Sequence, residues 1–310
     1  MSLKKPSSKI GAHTKTSKPT KGCKGDCGGD CGKAKADLTL VADAVANATQ
    51  HTTPAAYTTA AQLAAVDKIA ASMPNDTAAT KSTGTHVPIP LTWSFKGDVA
   101  KKFDSHVHAQ LPFYGMVSEM VAFMANQFLP QGNGRMYDIG CSTGNITSRI
   151  RNQLEAKKTF VTNIDSESDI LEQFHGYGEI LWGAAQTVSY EPFNVATMML
   201  TMGFIPVDER VSLLRRLYSQ LLPGGAIIMV EKFQPRTVQA QELFRRANLY
   251  FKTQNGENPK DILAKEFSLG GILRPVSIEL FSAAEIPSNR IESFFQLGEF
   301  AGWIIFGEPV

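Results

Sequence analysis

One short segment, residues 137–145, constrains the fold of this chain more than any other. Its sequence is Tyr-Asp-Ile-Gly-Cys-Ser-Thr-Gly-Asn, and it lies between an apolar run at 136–139 and a helical pattern at 146–156. The glycines have the spacing G-x-x-x-G, so the G-x-G-x-x-G fingerprint of dinucleotide-binding folds is absent. A strand that passes through a glycine turn into a helix predicts a βα unit whose turn approaches a ligand. A plain turn without a ligand is the alternative.

The acids and glycines around this turn suggest what the ligand is. Gly140 and Gly144 lack a Cβ, so the backbone can lie against a nucleoside-linked amino acid. Asp138 can accept a hydrogen bond from the ammonium of a methionyl group, directly or through water. Asp165 follows the second strand about 20 residues beyond the first glycine, where an acid binds ribose hydroxyls in doubly wound folds. Asp165 could instead cap the next helix.

Strands and helices alternate along the rest of the chain. Apolar runs predict strands at 136–139, 160–164, 180–182, 195–200 and 226–230, with amphipathic helices between them, and a final pair at 291–296 and 301–306. This order predicts an α/β, Rossmann-like fold with a mainly parallel seven-stranded sheet and a C-terminal antiparallel hairpin joined around Gly298. Pro223-Gly224-Gly225 is expected to end a helix and to turn the chain into the fifth strand.

The first part of the chain has a different composition. Residues 1–36 carry nine Lys and two Asp, a net charge of +7, so the other 274 residues carry −5 of the total of +2. We expect residues 1–87, basic and then rich in Ala and Thr, to form a disordered low-complexity arm, and residues 88–310 to form the folded domain with a helical lid insert at 239–277. The arm could contact RNA phosphates or act only as a solubilising tail.

Cysteine content and hydropathy narrow the setting. Three of the four cysteines, Cys23, Cys27 and Cys31, lie in the arm without an apparent fourth ligand, so no metal site is predicted. No run of about 18 apolar residues is present, so no membrane span is expected. The segment MSLKKPSSKI has no apolar core, so no secretory signal is expected and a cytoplasmic location is predicted.

The sequence resembles the carboxy-S-adenosyl-L-methionine (carboxy-SAM) synthases, which have the class I fold of methyltransferases dependent on S-adenosyl-L-methionine (SAM). The resemblance covers roughly residues 90–308 and rests on five segments: Trp93-Ser94-Phe95, residues 137–144, Leu222-Pro223-Gly224-Gly225, Val230-Glu231-Lys232-Phe233 and Glu242-Leu243-Phe244. It implies a SAM-binding domain and a homodimer. The residues predicted to bind SAM are Asp138, Gly140, Cys141, Ser142, Gly144, Asp165 and Thr201.

The resemblance implies an enzyme that serves wobble-uridine modification in tRNA and uses prephenate to carboxylate SAM. It also implies an Arg, on the insert after the fifth strand, that holds the new carboxylate. Here Glu266 stands at or near that position, and Arg274 is the nearest Arg downstream. Because two carboxylates repel, the preferred prediction is methyl transfer from SAM to an unidentified acceptor, either RNA (including tRNA) or a small molecule. Carboxy-SAM synthesis and a non-catalytic SAM-fold binding protein are the alternatives.

Methyl transfer from SAM depends mainly on positioning, so no catalytic triad is expected. The candidates for polar groups at the acceptor side are Tyr114, Glu231, Tyr250, His106 and His108. Each has a structural alternative, namely core packing for Tyr114, a strand-end ion pair for Glu231, and capping or surface positions for the histidines. Gln186 is the polar side chain after the third strand that could meet the adenine.

Overall fold

A computed structural model describes residues 89–111 and 113–310. The predicted arm and its three cysteines lie outside the described residues. The helices are α1 (Asp98–Lys101), α2 (Phe103–Gln110), α3 (Tyr114–Gln127), α4 (Asn145–Arg149), α5 (Arg151–Ala156), α6 (Ser168–Leu171), α7 (Val207–Gln220), α8 (Val238–Gln254), α9 (Pro259–Ser268) and α10 (Glu279–Ala283). The strands are β1 (Arg135–Ile139), β2 (Phe160–Asp165), β3 (Glu179–Trp182), β4 (Phe193–Met199), β5 (Leu221–Lys232), β6 (Ile291–Leu297) and β7 (Phe300–Phe306).

The seven strands form one sheet in the order β3-β2-β1-β4-β5-β7-β6. Strands β1 to β5 are parallel to their neighbours, and β7 runs antiparallel to both β5 and β6. The predicted mainly parallel sheet with a C-terminal antiparallel hairpin is therefore confirmed. The chain order reverses between β1 and β4, and in open α/β sheets ligands bind beyond the carboxyl ends of the strands at such a point.

Both faces of the central strands are buried, as their continuous apolar sequences require. Along β5, Ile227 and Met229 pack with α7 and α10 on one face, while Ile228 and Val230 pack with α3 on the other. This alternation follows from the period of two residues in a strand. The two layers hold the loops at the carboxyl end of the sheet in fixed positions.

Several boundaries differ from the sequence prediction. The predicted helix at 146–156 is two helices, α4 and α5, because Ile150 leaves helical geometry at φ −117° and ψ 23°. The helix before Pro223-Gly224-Gly225 ends earlier, at Gln220, since Leu221 already pairs with Phe193 in the sheet. The glycines therefore lie inside β5, where the register shifts, and do not end the helix. Helices α1, α2 and α10 were not predicted.

The insert after β5 is helical, as predicted. Thr237 caps α8 by accepting a hydrogen bond from the backbone N–H of Ala240, and Asn258 caps α9, which begins with Pro259. The segment before α1 contacts this insert, since the backbone N–H of Trp93 donates to the Ser268 carbonyl at 3.0 Å. Among the described residues, no helix combines the length and apolar character that a membrane span requires.

Candidate functional site

A cavity of about 400 Å³ lies beyond the carboxyl ends of β1, β2 and β4, under α2 and α9. Its volume is in the range of small-molecule sites. Ten of the residues predicted for the site line it: His106, Tyr114, Asp138, Gly140, Cys141, Ser142, Asp165, Gln186, Thr201 and Glu231. Residues from the ends of separate strands therefore meet at this cavity.

Asp138 is the penultimate residue of β1 and is 2% exposed. Its Oδ1 accepts a hydrogen bond from Thr197 Oγ1 on β4 at 2.7 Å, while its Oδ2 is buried without a hydrogen-bond partner. Burial raises the pKa of this carboxyl to about 7, although the Thr197 bond opposes the shift. A buried carboxylate oxygen without a protein partner fits a ligand that donates a hydrogen bond at this position.

Asp165 ends β2 and connects the glycine turn to the next helix. Its Oδ2 accepts from the Ser142 backbone N–H at 2.9 Å, and its Oδ1 accepts from the Glu167 N–H at 3.0 Å. Burial raises the pKa of Asp165, and these backbone hydrogen bonds oppose the shift. Asp165 therefore does not cap the next helix, whose N-cap is Glu167 without a side-chain cap, but stabilises the turn before it. Each oxygen keeps a lone pair for a ligand hydroxyl, since an ionised carboxylate has about four acceptor positions.

The two motif glycines are required by contacts within the protein. Gly140 has φ +70°, and a Cβ there would lie 2.1 Å from Thr201 Oγ1. Gly144 has φ +82°, and a Cβ there would lie 2.5 Å from the backbone of Gly176. Gly140 lines the cavity, but Gly144 does not. The predicted role of Gly144 against the ligand stays a prediction, and its close neighbour in the structure is the 174–176 segment.

Glu231 and Thr201 stabilise the turn that follows β4. The Glu231 carboxylate accepts from the backbone N–H groups of Thr201 at 2.9 Å, Met202 at 2.6 Å and Gly203 at 3.3 Å. Burial raises the pKa of Glu231 to about 7 against these three bonds. The strand-end ion pair, which was the structural alternative for Glu231, does not form with the adjacent Lys232, since Lys232 pairs with Glu299 at 3.1 Å. Glu231 is therefore committed to shaping the cavity wall.

Tyr114, on α3, is buried and lines the cavity. Burial raises the pKa of its hydroxyl, and a side-chain hydrogen bond with Asn145 opposes the shift. Tyr114 therefore keeps its proton at neutral pH. Its ring also packs edge-on against exposed His108, whose Nδ1 lies 2.7 Å from the Asp104 carbonyl oxygen. His108 does not line the cavity.

Tyr250 does not belong to the site in the described structure. It lies on α8 and is 46% exposed, while its neighbours Leu249 and Lys252 are buried. The helical period of about 3.6 residues turns Tyr250 away from the cavity when Leu249 and Lys252 face inward. Its ring contacts Phe251, which is also exposed. Tyr250 is therefore not among the residues that line the cavity, and its role as a catalytic candidate stays a prediction.

Four charged side chains also line the cavity, and of these the sequence pointed only to Glu266: Lys232, Lys252, Lys265 and Glu266. Glu266 lies 3.6 Å from Lys252 Nζ and 3.9 Å from Arg245 Nε. Burial alone would raise the pKa of Glu266, but Lys252, Lys232 and Arg245 outweigh burial and lower it. Glu266 is therefore an ionised carboxylate in the cavity wall.

His106 and Lys265 form a second polar contact on the wall, with Lys265 Nζ 2.6 Å from His106 Nε2. Trp93 stacks on His106 with the ring centroids 5.7 Å apart. Within residues 89–111 and 113–310, no group of three or more His, Cys, Asp or Glu side chains is placed to hold a metal ion.

Comparison with known proteins supports the resemblance seen in the motifs. No family model matches the chain. The carboxy-SAM synthase of Staphylococcus epidermidis is 28% identical over 229 residues, covering 69% of this chain and 97% of that protein. The carboxy-SAM synthase of Stutzerimonas stutzeri is 27% identical over 225 residues, covering 68% of this chain and 91% of that protein. The predicted likeness to this group is confirmed.

Solved structures with similar folds include methyltransferases. The plantazolicin methyltransferase BpumL in complex with SAH is 13% identical with a TM-score of 0.48, over 69% of this chain and 91% of that one. Human N-acetylserotonin methyltransferase in complex with SAM is 13% identical with a TM-score of 0.44, over 68% of this chain and 56% of that one.

Proposed function

We propose that this chain is a SAM-dependent methyltransferase, and the unpaired Oδ2 of Asp138 is the observation that carries the proposal. That oxygen is buried in a cavity shared with Asp165, from the end of the neighbouring strand. An ammonium group in the cavity would satisfy Asp138, and vicinal hydroxyls would satisfy the free lone pairs of Asp165. SAM carries both groups, and the named relatives are enzymes that make a carboxylated SAM.

The proposal gives each wall a role toward SAM. Asp138 holds the ammonium, Asp165 holds the ribose, and the backbone of residues 140–142 lies along the ligand. Gln186 lines the cavity after β3, and in this proposal it meets the adenine. The bound donor supplies an activated methyl group, so the protein contributes orientation and exclusion of water.

The acceptor is a separate part of the proposal. An RNA, including tRNA, and a small molecule are the two classes that the sequence left open. A cytoplasmic location and a homodimer also belong to the proposal.

Carboxy-SAM synthesis is the second candidate, favoured by the names of the relatives. Glu266 disfavours it, because it stands where the resemblance implies an Arg that holds the new carboxylate, while its own charge is balanced by Lys252 and Arg245.

The test begins with the purified full chain. Calorimetry with SAM should show one binding site, and denaturation followed by mass spectrometry should release SAM or S-adenosylhomocysteine. A second sample is incubated with SAM and prephenate. Carboxy-SAM formed only with prephenate would replace methyl transfer by the second candidate. A folded chain that does not bind SAM would overturn both candidates.

A further inference from the structure

The contact between His106 and Lys265 joins two elements over the cavity. His106 lies on α2 and Lys265 on α9, 159 residues apart, with 2.6 Å between Nε2 and Nζ. Lys265 Nζ also lies 4.6 Å from the centre of the Trp93 ring. All three side chains line the same cavity as Asp138 and Asp165. An amine is therefore held between two rings in the wall of the proposed methyl-donor site.

The charged neighbours of this amine come from α8, the turn after it and α9. Glu266 pairs with Lys252 and Arg245, and Glu257 accepts from Gln110 Nε2 at 2.7 Å. Within the described part of the chain, Lys265 forms no ion pair with a carboxylate. Its nearest polar partner is the imidazole, and Lys252 adds a like charge.

Burial and the like charge of Lys252 favour the neutral amine, whereas the face of the Trp93 ring favours the ammonium. Burial lowers the pKa of Lys265 to about 7, Lys252 lowers it further, and Glu257 and Glu266 oppose the shift. Burial, Lys265 and Lys252 lower the pKa of His106 to about 3, so the imidazole is neutral. A neutral lysine in a cavity can accept a proton at physiological pH.

The same cavity carries an aromatic wall beside the amine. Phe95 packs against Trp93 at 5.9 Å, Phe103 at 6.0 Å and Phe204 at 5.2 Å between ring centroids. All four rings line the cavity. Such a wall favours an aromatic ligand, because stacked and edge-on ring pairs add to the apolar burial.

We propose that Lys265 is the proton acceptor of the methyl-transfer reaction and that the methyl acceptor is a small aromatic compound with an un-ionised hydroxyl group. His106 is a positioning residue for the amine. This inference rests on the proposed function, since it requires a sulfonium methyl donor in the same cavity. It selects the small-molecule class over RNA.

The step conserves atoms and charge. The hydroxyl proton moves to Nζ of neutral Lys265, and the hydroxyl oxygen forms a bond to the methyl carbon of the sulfonium donor. The carbon–sulfur bond breaks and leaves its electron pair on sulfur. Lys265 becomes an ammonium that donates a hydrogen bond to His106 Nε2, and it then loses its proton to solvent.

The first test needs no acceptor. The full chain is labelled with a trace of acetic anhydride over a pH series, and labelling is quantified by mass spectrometry at Lys265 and at exposed Lys260 on the same helix. The labelling midpoint of Lys265 should lie near pH 7, about three units below that of an ordinary lysine. A midpoint that coincides with that of Lys260 overturns the proton-acceptor role.

The second test uses phenol, catechol and para-nitrophenol as acceptors, with SAM binding measured separately by calorimetry. Lys265→Met should lower the rate with phenol about 100-fold. The rate with para-nitrophenol should fall much less, because this acceptor ionises near neutral pH and does not need a proton acceptor. Lys265→Arg keeps the charge and should fail like Lys265→Met, whereas Lys260→Met should match the wild type. Thermal melting identifies any variant that does not fold.

The outcomes separate the two proposals. An equal loss with all acceptors overturns the proton-acceptor role. SAM binding without methylation of any phenol overturns the aromatic acceptor and leaves the proposed function standing. A folded wild type that does not bind SAM overturns the proposed function itself.

Discussion

At the residue scale, Asp138 is buried and one of its carboxylate oxygens has no hydrogen-bond partner. Its effects on stability and on ligand binding therefore depend on pH. Burial raises its pKa to about 7 in the ligand-free protein. Its contribution to stability is therefore present at low pH and is lost as the pH rises from about 4, the ordinary pKa of Asp, toward about 7. An ammonium ligand reverses this preference, because it favours the ionised carboxylate.

We expect the affinity for SAM to fall as the pH decreases through about 7. Asp138→Asn should weaken binding roughly 10- to 100-fold, the loss of a charge-assisted hydrogen bond, and should remove most of this pH dependence. Calorimetry at about pH 6 and about pH 8 measures both effects. Asp208→Asn, an exposed change on α7, is the matched control. Unchanged affinity in Asp138→Asn would rule out the ammonium contact.

Glu231 gives a different prediction, since its carboxylate serves the backbone. Glu231→Gln replaces one acceptor oxygen with an amide N–H₂ group that faces backbone N–H donors. The free energy of unfolding should fall by about 1–3 kcal/mol. Urea denaturation measures this loss, and exposed Glu292→Gln should be near neutral. If Glu231→Gln keeps full stability but loses methyl transfer, the carboxylate acts in the reaction and not in the turn.

At the element scale, the glycine turn between β1 and α4 is fixed by the segment packed on it. Gly144→Ala adds a Cβ to a residue with φ +82° and places that Cβ 2.5 Å from the Gly176 backbone. Gly132→Ala adds a Cβ to a residue with φ +86°, and no other atom lies within 4 Å of it. The left-handed conformation alone costs about 1–2 kcal/mol. Gly132→Ala should lower the free energy of unfolding by that amount. Gly144→Ala should lower it more, because the 174–176 segment must move. Equal losses in urea denaturation would show that the contact with Gly176 is not limiting.

The elements that could be predicted are those that carry a local pattern. The strands β1, β2, β4 and β5 are apolar runs bounded by turn residues, and a parallel sheet brings their carboxyl ends together. The positions of Asp138 and Asp165 in one cavity follow from that rule. The outward position of Tyr250 could not be predicted, because the inward face of α8 is set by tertiary packing of Leu249 and Lys252.

The contact between Lys265 and His106 could not be predicted for a related reason. It joins helices 159 residues apart, and α2 has no strong amphipathic pattern. The same holds for Glu231, whose partners are backbone groups of a turn 28 to 30 residues earlier. Local sequence predicts which residues are polar, but only the fold determines which of them meet.

At the scale of the whole molecule, the cavity is covered by two distant parts of the chain that hold each other. Trp93 joins them. Its backbone N–H donates to the Ser268 carbonyl, and its ring packs against His106 and Lys265. Gln110 adds a second link through Glu257. The cover over the cavity, residues 89–111 with α8 and α9, should therefore open as a unit.

Trp93→Ala should cost about 3–5 kcal/mol, because it removes a buried ring from the cover. Hydrogen exchange should become faster in residues 89–111 and in α9 together, while β1, β4 and β5 keep their protection, since their packing does not involve Trp93. Trp182→Ala, at a tryptophan that is 70% exposed on the edge strand, is the matched control and should leave both segments protected. Faster exchange confined to residues 89–111 would show that α9 is held by its own contacts, and that the two parts of the cover open independently.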